Sequence, residues 1–282
     1  MDIVRSVADL RARVRGWHAR GERVALTPTM GALHDGHLSL VALGQHNADR
    51  VVATIFVNPT QFGANEDLDG YPRNEARDAD LLSRGGCDLL FAPAVGEMYP
   101  PGFSTRVIVD GLTDVLCGAV RPGHFDGVAQ VVTKLLNQAQ ADVAIFGEKD
   151  WQQLAVIRRL TRDLDIPTEI LGAPILREPD GLAMSSRNRY LTADERAVAG
   201  TLNQALREAA QRIVAGQDIP SELAAARAAI LGAGFASIDY VELREADTLA
   251  EVVRFDPTVP TRIFGAARLG RARLIDNMPV EG

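Results

Sequence analysis

Two histidines, His34 and His37, stand three residues apart in the stretch TPTMGALHDGHLSL, with Asp35 and Gly36 between them. At that spacing two imidazoles lie about one helical turn apart and can reach a single group. An apolar run precedes them, and Leu38, Leu40 and Val41 follow. A strand, a Gly-containing turn and a helix starting near Asp35 would present free backbone N–H groups and the positive end of a helix dipole. That is phosphate-binding chemistry. Gly36 removes a side chain where a nucleotide would come close. The spacing from Gly31 to Gly36 imitates a Walker loop, but His37 stands at the lysine position and no Ser or Thr follows it. The dinucleotide glycine fingerprint is also missing. Two other readings of the pair are surface histidines at a helix start and a zinc site; no third ligand at a suitable spacing supports the zinc site.

Further basic groups lie downstream. Lys149, in GEKDWQQ, ends an apolar run between Glu148 and Asp150. It is either a solvated strand-end charge or a group that neutralises triphosphate charge as a transition state forms. The segment MSSRNR (184–189) offers two hydroxyls and the forked donor Arg187. A Ser-rich polar hinge would look similar, whereas a mobile phosphate-closing loop would use all three groups.

These residues need elements that bring them together. Apolar runs at 23–29, 50–57, 87–93, 141–147 and 168–176 read as buried strands without strict alternation, separated by helical patterns. The clearest helix places Val128, Val131, Val132, Leu135, Leu136 and Ala139 on one face, and another begins near Trp151. Strands alternating with helices predict an α/β domain built on a doubly wound parallel sheet, residues 1–176. Residues 177–282 form a smaller C-terminal α+β domain, expected to act as a lid. There Thr192 and Glu195 have capping-box spacing. From that start a helix is expected to continue through Val198, Leu202, Leu206, Ala209 and Ile213 to Gly216, with a second near Ser221 and strand-like segments at 238–245 and 261–277. PTMGALHDGH, NPTQFG (58–63) and GEKDWQQ each follow a strand, and an open parallel sheet binds ligands at its carboxyl edge, at the switch point. One cleft is therefore expected from the three segments.

Composition narrows the function. At 282 residues, 46% hydrophobic and 24% charged, the chain is an ordinary globular one. Its net charge of −7 argues against a general nucleic-acid binder. No apolar stretch is long enough to span a membrane, and the mixed-charge start has no signal core, so a cytoplasmic location is expected. Cys87 and Cys117 form no metal or redox motif and read as reduced thiols.

HDGH followed far downstream by MSSRN resembles the HIGH and KMSKS pair of the class I nucleotidyltransferase superfamily, which implies a Rossmann-like fold of that type and attack on the α-phosphate of ATP. The resemblance is closer to one family. PTMGALHDGH, IFVNPTQFG, DGYPR, RPGHFDGV, FGEKDWQQL, DGLAMSSRNRYL and ARLGRARLIDN, in that order, resemble pantothenate synthetases over about residues 24–277. Asp35 stands where many members have Glu, which keeps an acid at the helix start.

The resemblance implies condensation of pantoate with β-alanine, with ATP and Mg²⁺, through a pantoyl adenylate, releasing AMP and pyrophosphate. By residue it implies catalytic roles for His34, His37 and Lys149. ATP contacts extend to Met30, Gly147, Asp150, Met184, Ser185, Ser186 and Arg187, the last three on the distal phosphates. Pantoate would meet Met30, Gln61 and Gln153. Asp78 would assist Mg²⁺ or be a solvated helix carboxylate. Tyr71, Arg121 and His124 would line the cleft without an assigned role, and no base for the β-alanine amine is evident. A homodimer is implied, with no nucleic-acid or membrane partner. A nucleotidylyltransferase that leaves a stable adenylylated product, and a nucleotide-binding scaffold without turnover, stay open at this point.

Overall fold

A computed structural model describes residues 1–63, 68 and 70–281. Asp69 of the DGYPR block lies outside the described residues. The chain divides into two compact units, Met1–Glu148 with Val156–Pro174, and Lys149–Ala155 with Ile175–Gly282. The division after Pro174 lies close to the join expected at 176. The assignment of Lys149–Ala155 differs, because the sequence order alone places it in the first unit.

In the first unit the strands are β1 (Asp2–Val4), β2 (Val24–Thr29), β3 (Arg50–Ile55), β4 (Leu89–Phe91), β5 (Val143–Gly147) and β6 (Glu169–Ala173). They form one sheet in the order β1-β4-β3-β2-β5-β6. Every pairing is parallel. The order reverses between β2 and β5, which makes that boundary the switch point. Five of these strands match the apolar runs. The three-residue β1 was not expected, since DIV is too short to show a period.

The helices are α1 (Val7–His18), α2 (Asp35–Asn47), α3 (Glu75–Arg84), α4 (Val95–Met98), α5 (Leu116–Val120), α6 (His124–Ala139) and α7 (Trp151–Asp163). Alternate strand residues face opposite sides of the sheet. Ala25, Val51, Ala53, Leu90, Val143 and Ile145 pack with Leu40 and Val41 of α2 and Leu82 of α3. On α6, all six residues of the predicted face are buried. Both cysteines are buried, and burial pushes the Cys87 thiol up to about 11, so it stays protonated and unreactive.

The second unit holds α8 (Ala193–Val198), α9 (Thr201–Val214) and α10 (Ile219–Gly232), with strands β7 (Ser237–Glu245), β8 (Thr261–Leu269) and β9 (Ala272–Val280) in antiparallel order. Leu202, Leu206, Ala209 and Ile213 of α9 cluster with Val241, Leu243, Ile263 and Leu274 of the strands. Thr192 and Glu195 do form a capping box. Two expectations are corrected. The helix expected to run from the capping box to Gly216 breaks at Ala199–Gly200, where glycine is a poor helix former. The segment 261–277 is two strands of a hairpin, turned by the two residues Gly270–Arg271.

Candidate active site

The sequence-derived site residues fall on both units. Met30, His34, His37, Gln61, Asp78 and Gly147 belong to the first, and Lys149, Asp150, Gln153 and Met184–Arg187 to the second.

In the first unit, β2 runs into a turn whose geometry sets the histidines. Gly31 and Ala32 both have positive φ, 83° and 54°. Two successive left-handed residues are costly unless their surroundings hold them, and glycine takes the first with little strain. Thr29 at the end of β2 accepts the Gly31 N–H through Oγ1 at 3.2 Å. The remaining hold comes from Asp78 on α3. Its Oδ2 accepts the Ala32 N–H at 2.7 Å and its Oδ1 the Leu33 N–H at 3.0 Å.

The chain then enters α2 through a cap built from imidazoles. His34 is the N-cap residue, and its Nδ1 accepts the Gly36 N–H at 3.1 Å. His37 Nδ1 accepts the His34 N–H at 3.3 Å. This is a capping box with histidines in place of the usual Ser or Thr and Glu. Because each Nδ1 accepts from a backbone N–H, each neutral imidazole carries its proton on Nε2. The two rings lie 4.1 Å apart between centroids. The pair thus offers two Nε2–H donors beside the positive end of a thirteen-residue helix.

The solvated reading of Asp78 is overturned, since its side chain is 1% exposed. As a metal ligand it also fits poorly: both oxygens already accept backbone N–H groups. No group of three or more His, Cys, Asp or Glu suited to a metal ion occurs among the described residues. Its evident work is to hold the turn before His34. Asp78→Asn keeps the volume but places an amide N–H₂ against one of those donors. An unsatisfied buried donor costs about 2 kcal/mol, which corresponds to a fall in Tm of roughly 5 °C for a chain of this size. Thermal melting checks this; a magnesium ligand would instead leave Tm unchanged and raise the Mg²⁺ requirement.

Gln61 is set by a second group of contacts. The Asn58 side chain, 1% exposed, donates to Gln61 Oε1 at 3.0 Å and to the Gly127 carbonyl at 3.0 Å. With Oε1 accepting, Gln61 Nε2 points the other way and meets Met30 Sδ at 3.2 Å. Two of the three residues that the resemblance assigns to pantoate are therefore in contact. A side chain at Gly127 on α6 would strike the backbone of Thr60 and Gln61, so glycine permits the helix to approach this turn. Arg121 Nη1 lies 3.0 Å from His124 Nε2, and an arginine can only donate. His124 Nδ1 therefore carries the proton and donates to the Gln61 carbonyl at 2.8 Å. This gives Arg121 and His124 a role that sequence left blank: they hold the backbone of Gln61. Tyr71 is buried and packs edge-on against Phe62. Asn58 was missed as a site residue, although an Asn-Pro pair marks a cap or turn start.

In the second unit, Lys149 lies in a short 3-10 turn, Glu148–Asp150, with Nζ 3.7 Å from Asp150 Oδ2 and its side chain 20% exposed. Gln153 follows on α7, half-buried. The 177–190 segment carries local secondary structure. Arg177 and Ala183 form an antiparallel bridge, and Met184 N–H donates to the Leu176 carbonyl at 3.0 Å. Ser185 caps a 3-10 turn, Ser186–Tyr190, accepting the Arg187 N–H at 3.2 Å. Met184, Ser185, Ser186 and Arg187 are all partly exposed.

Comparison with known proteins identifies the family. The profile of the pantoate-beta-alanine ligase family matches residues 2–279. Pantothenate synthetase of Paramagnetospirillum magneticum is 61% identical over 279 residues, covering 99% of this chain and 98% of that protein. The same enzyme of Sphingopyxis alaskensis is 58% identical over 280 residues, covering 99% and 100%. A crystal structure of the Thermus thermophilus enzyme superposes with a TM-score of 0.94 at 45% identity over the whole of both chains. A pantoate-beta-alanine ligase from Francisella tularensis, solved with beta-gamma ATP and beta-alanine, gives 0.84 at 33% identity, covering 100% of this chain and 98% of that one. A match along nearly the full length, at this identity, leaves one assignment: the chain belongs to the pantoate–β-alanine ligase family.

Proposed function

We infer that this chain is an ATP-dependent ligase that joins pantoate to β-alanine, giving pantothenate, AMP and pyrophosphate. The observation that carries the reading is the imidazole capping box at the switch-point helix, in a chain 61% identical to a pantothenate synthetase over 279 residues.

The chemistry divides into two steps. A pantoate carboxylate oxygen attacks the α-phosphorus of ATP as the bond to the β-phosphate bridging oxygen breaks, leaving pantoyl adenylate and pyrophosphate. The neutral β-alanine amine then attacks the acyl carbon, the acyl C–O bond of the mixed anhydride breaks, AMP leaves, and the amine's surplus proton passes to solvent or to the departing phosphate. Charge builds on the phosphate oxygens in the first step. The Nε2–H groups of His34 and His37 and the Lys149 ammonium are the donors we assign to it. Ser185, Ser186 and Arg187 hold the distal phosphates, with Arg187 as the forked donor. Gly147, Asp150 and Met184 contact the nucleotide. Gln61 and Gln153, with Met30, bind pantoate through neutral amides that read hydroxyl and carboxylate oxygens.

Magnesium is assigned to the nucleotide. Mg²⁺ keeps several waters and commonly binds through substrate phosphates, and Asp78 is already engaged in the turn. In the second step the amine must arrive or become unprotonated. No side chain is assigned as its base, and the adenylate is already an activated acyl group, so positioning carries that step.

The test measures pyrophosphate and AMP from ATP, Mg²⁺ and pantoate, with and without β-alanine. AMP released in step with amide, and only when the amine is present, is the expected result. Pyrophosphate release that leaves a stable adenylylated product, indifferent to β-alanine, would make the protein a nucleotidylyltransferase instead.

A further inference from the structure

We propose that the adjacent pair Asp276–Asn277 on β9 is a positioning device for phosphate chemistry, with Asn277 holding the Lys149 backbone and Asp276 the 177–190 segment. The proposal rests on the phosphate role assigned to Lys149 above. It also gives work to the motif ARLGRARLIDN, whose Asp276 and Asn277 had no assigned role.

Asn277 is 1% exposed. Arg262 Nε donates to its Oδ1 at 2.8 Å, and a guanidinium cannot accept, so the amide has one orientation. Nδ2 then faces the Lys149 carbonyl and donates to it at 2.9 Å. Two further contacts grip the same short stretch. The Arg262 guanidinium stacks 3.7 Å above the Trp151 ring, and Trp151 Nε1 donates to the Ala246 carbonyl at 2.7 Å. Strand β5 has ended at Gly147, so the sheet ladder no longer constrains the chain at Lys149. The ammonium sits on a flexible four-carbon stem, and its aim depends on where the backbone is held.

Asp276 is 4% exposed and performs the matching task on its other neighbour. Its oxygens accept a two-pronged contact from Arg177 at 2.7 and 2.9 Å and a third bond from Asn203 Nδ2 at 3.0 Å. Arg177 passes the hold along by donating to the Gly181 carbonyl at 3.0 Å and the Asn277 carbonyl at 3.3 Å. Two successive strand residues thus fix the two segments of this unit that carry phosphate-binding groups. Replacing a buried ion pair with apolar groups is often neutral for stability. Register, rather than stability alone, is the natural use of such a network.

Asn277→Asp is the discriminating variant. It keeps the volume and the Arg262 bond, but puts an oxygen against the Lys149 carbonyl oxygen. Pyrophosphate release from ATP and pantoate is expected to lose about 10- to 100-fold in kcat, with KM values changed far less, as for a misplaced catalytic group. In a Lys149→Ala background the same substitution should change kcat by no more than about 2-fold, because residues acting through one another are not additive. Should Asn277→Asp not fold, Trp151→Phe removes the bond to Ala246 and shortens the ring beneath Arg262, and should repeat the pattern at smaller size.

The outcomes separate the two claims. Lys149→Ala with a normal rate overturns the phosphate role of Lys149 and the proposal with it. An impaired Lys149→Ala enzyme overturns the proposal alone under either of two results. One is a folded Asn277→Asp enzyme that works normally; the other is losses that multiply in full.

Discussion

Replacing Lys149 with alanine should lower the rate of pyrophosphate release from ATP and pantoate by at least about 10²-fold while leaving the fold intact. The magnitude is that of removing one preorganised donor aimed at developing charge, about 3 kcal/mol of barrier. Stability should change little, because the ammonium's nearest carboxylate is the half-exposed Asp150 at 3.7 Å, and such pairs contribute little. The segment's anchorage is through backbone atoms and Trp151, which the substitution leaves in place. The loss should appear in kcat more than in the KM for ATP, since the strongest contact forms as charge develops. Single-turnover measurement of adenylate formation, with a thermal melt alongside, gives the answer. A variant with near-normal pyrophosphate release would return Lys149 to a solvated strand-end charge.

The second large effect separates two jobs that His34 performs at once. Its Nδ1 caps α2 by accepting the Gly36 N–H, and its Nε2–H is the donor assigned to phosphate. Asparagine is among the best N-cap residues, so His34→Asn should keep the helix start and stay within a few tenths of a kcal/mol of the parent in stability. It has no group where Nε2–H was. Adenylate formation should therefore fall by about 10²- to 10³-fold, as when one oxyanion-type donor is removed. His34→Ala should show the same rate loss and be less stable by about 1 kcal/mol, the cost of an absent cap. Melting temperatures and pyrophosphate release for the pair of variants decide the matter. If His34→Asn works normally, the histidine is a cap residue and the phosphate role belongs elsewhere.

Sequence by itself determined the features whose physics is local. The alternation of buried strands with amphipathic helices is a matter of neighbouring residues, and so the α/β class and five of six strand positions in the sheet could be read directly. The imidazole pair was legible for the same reason. Strand, glycine turn and helix start occupy about fourteen consecutive residues, and the free N–H groups of a helix N-terminus follow from local geometry. Only its tautomers needed coordinates, because they depend on which ring nitrogen meets the backbone.

What tertiary structure decided lies in contacts between distant parts of the chain. In the sequence the carboxylate of Asp78 reads either as an aid to Mg²⁺ or as a solvated helix charge. It becomes a buried anchor because α3 places it against the N–H groups of Ala32 and Leu33, more than forty positions earlier. His124 and Arg121 gained a role only when α6 met the 58–61 turn. The bond from Asn277 to the Lys149 carbonyl spans 128 positions. It groups that lysine with the C-terminal unit, although the chain has just left β5. Hydrophobic period and turn residues specify elements and their order along the chain. They do not say which buried polar group will satisfy which backbone atom, because that depends on how the elements are arranged in space.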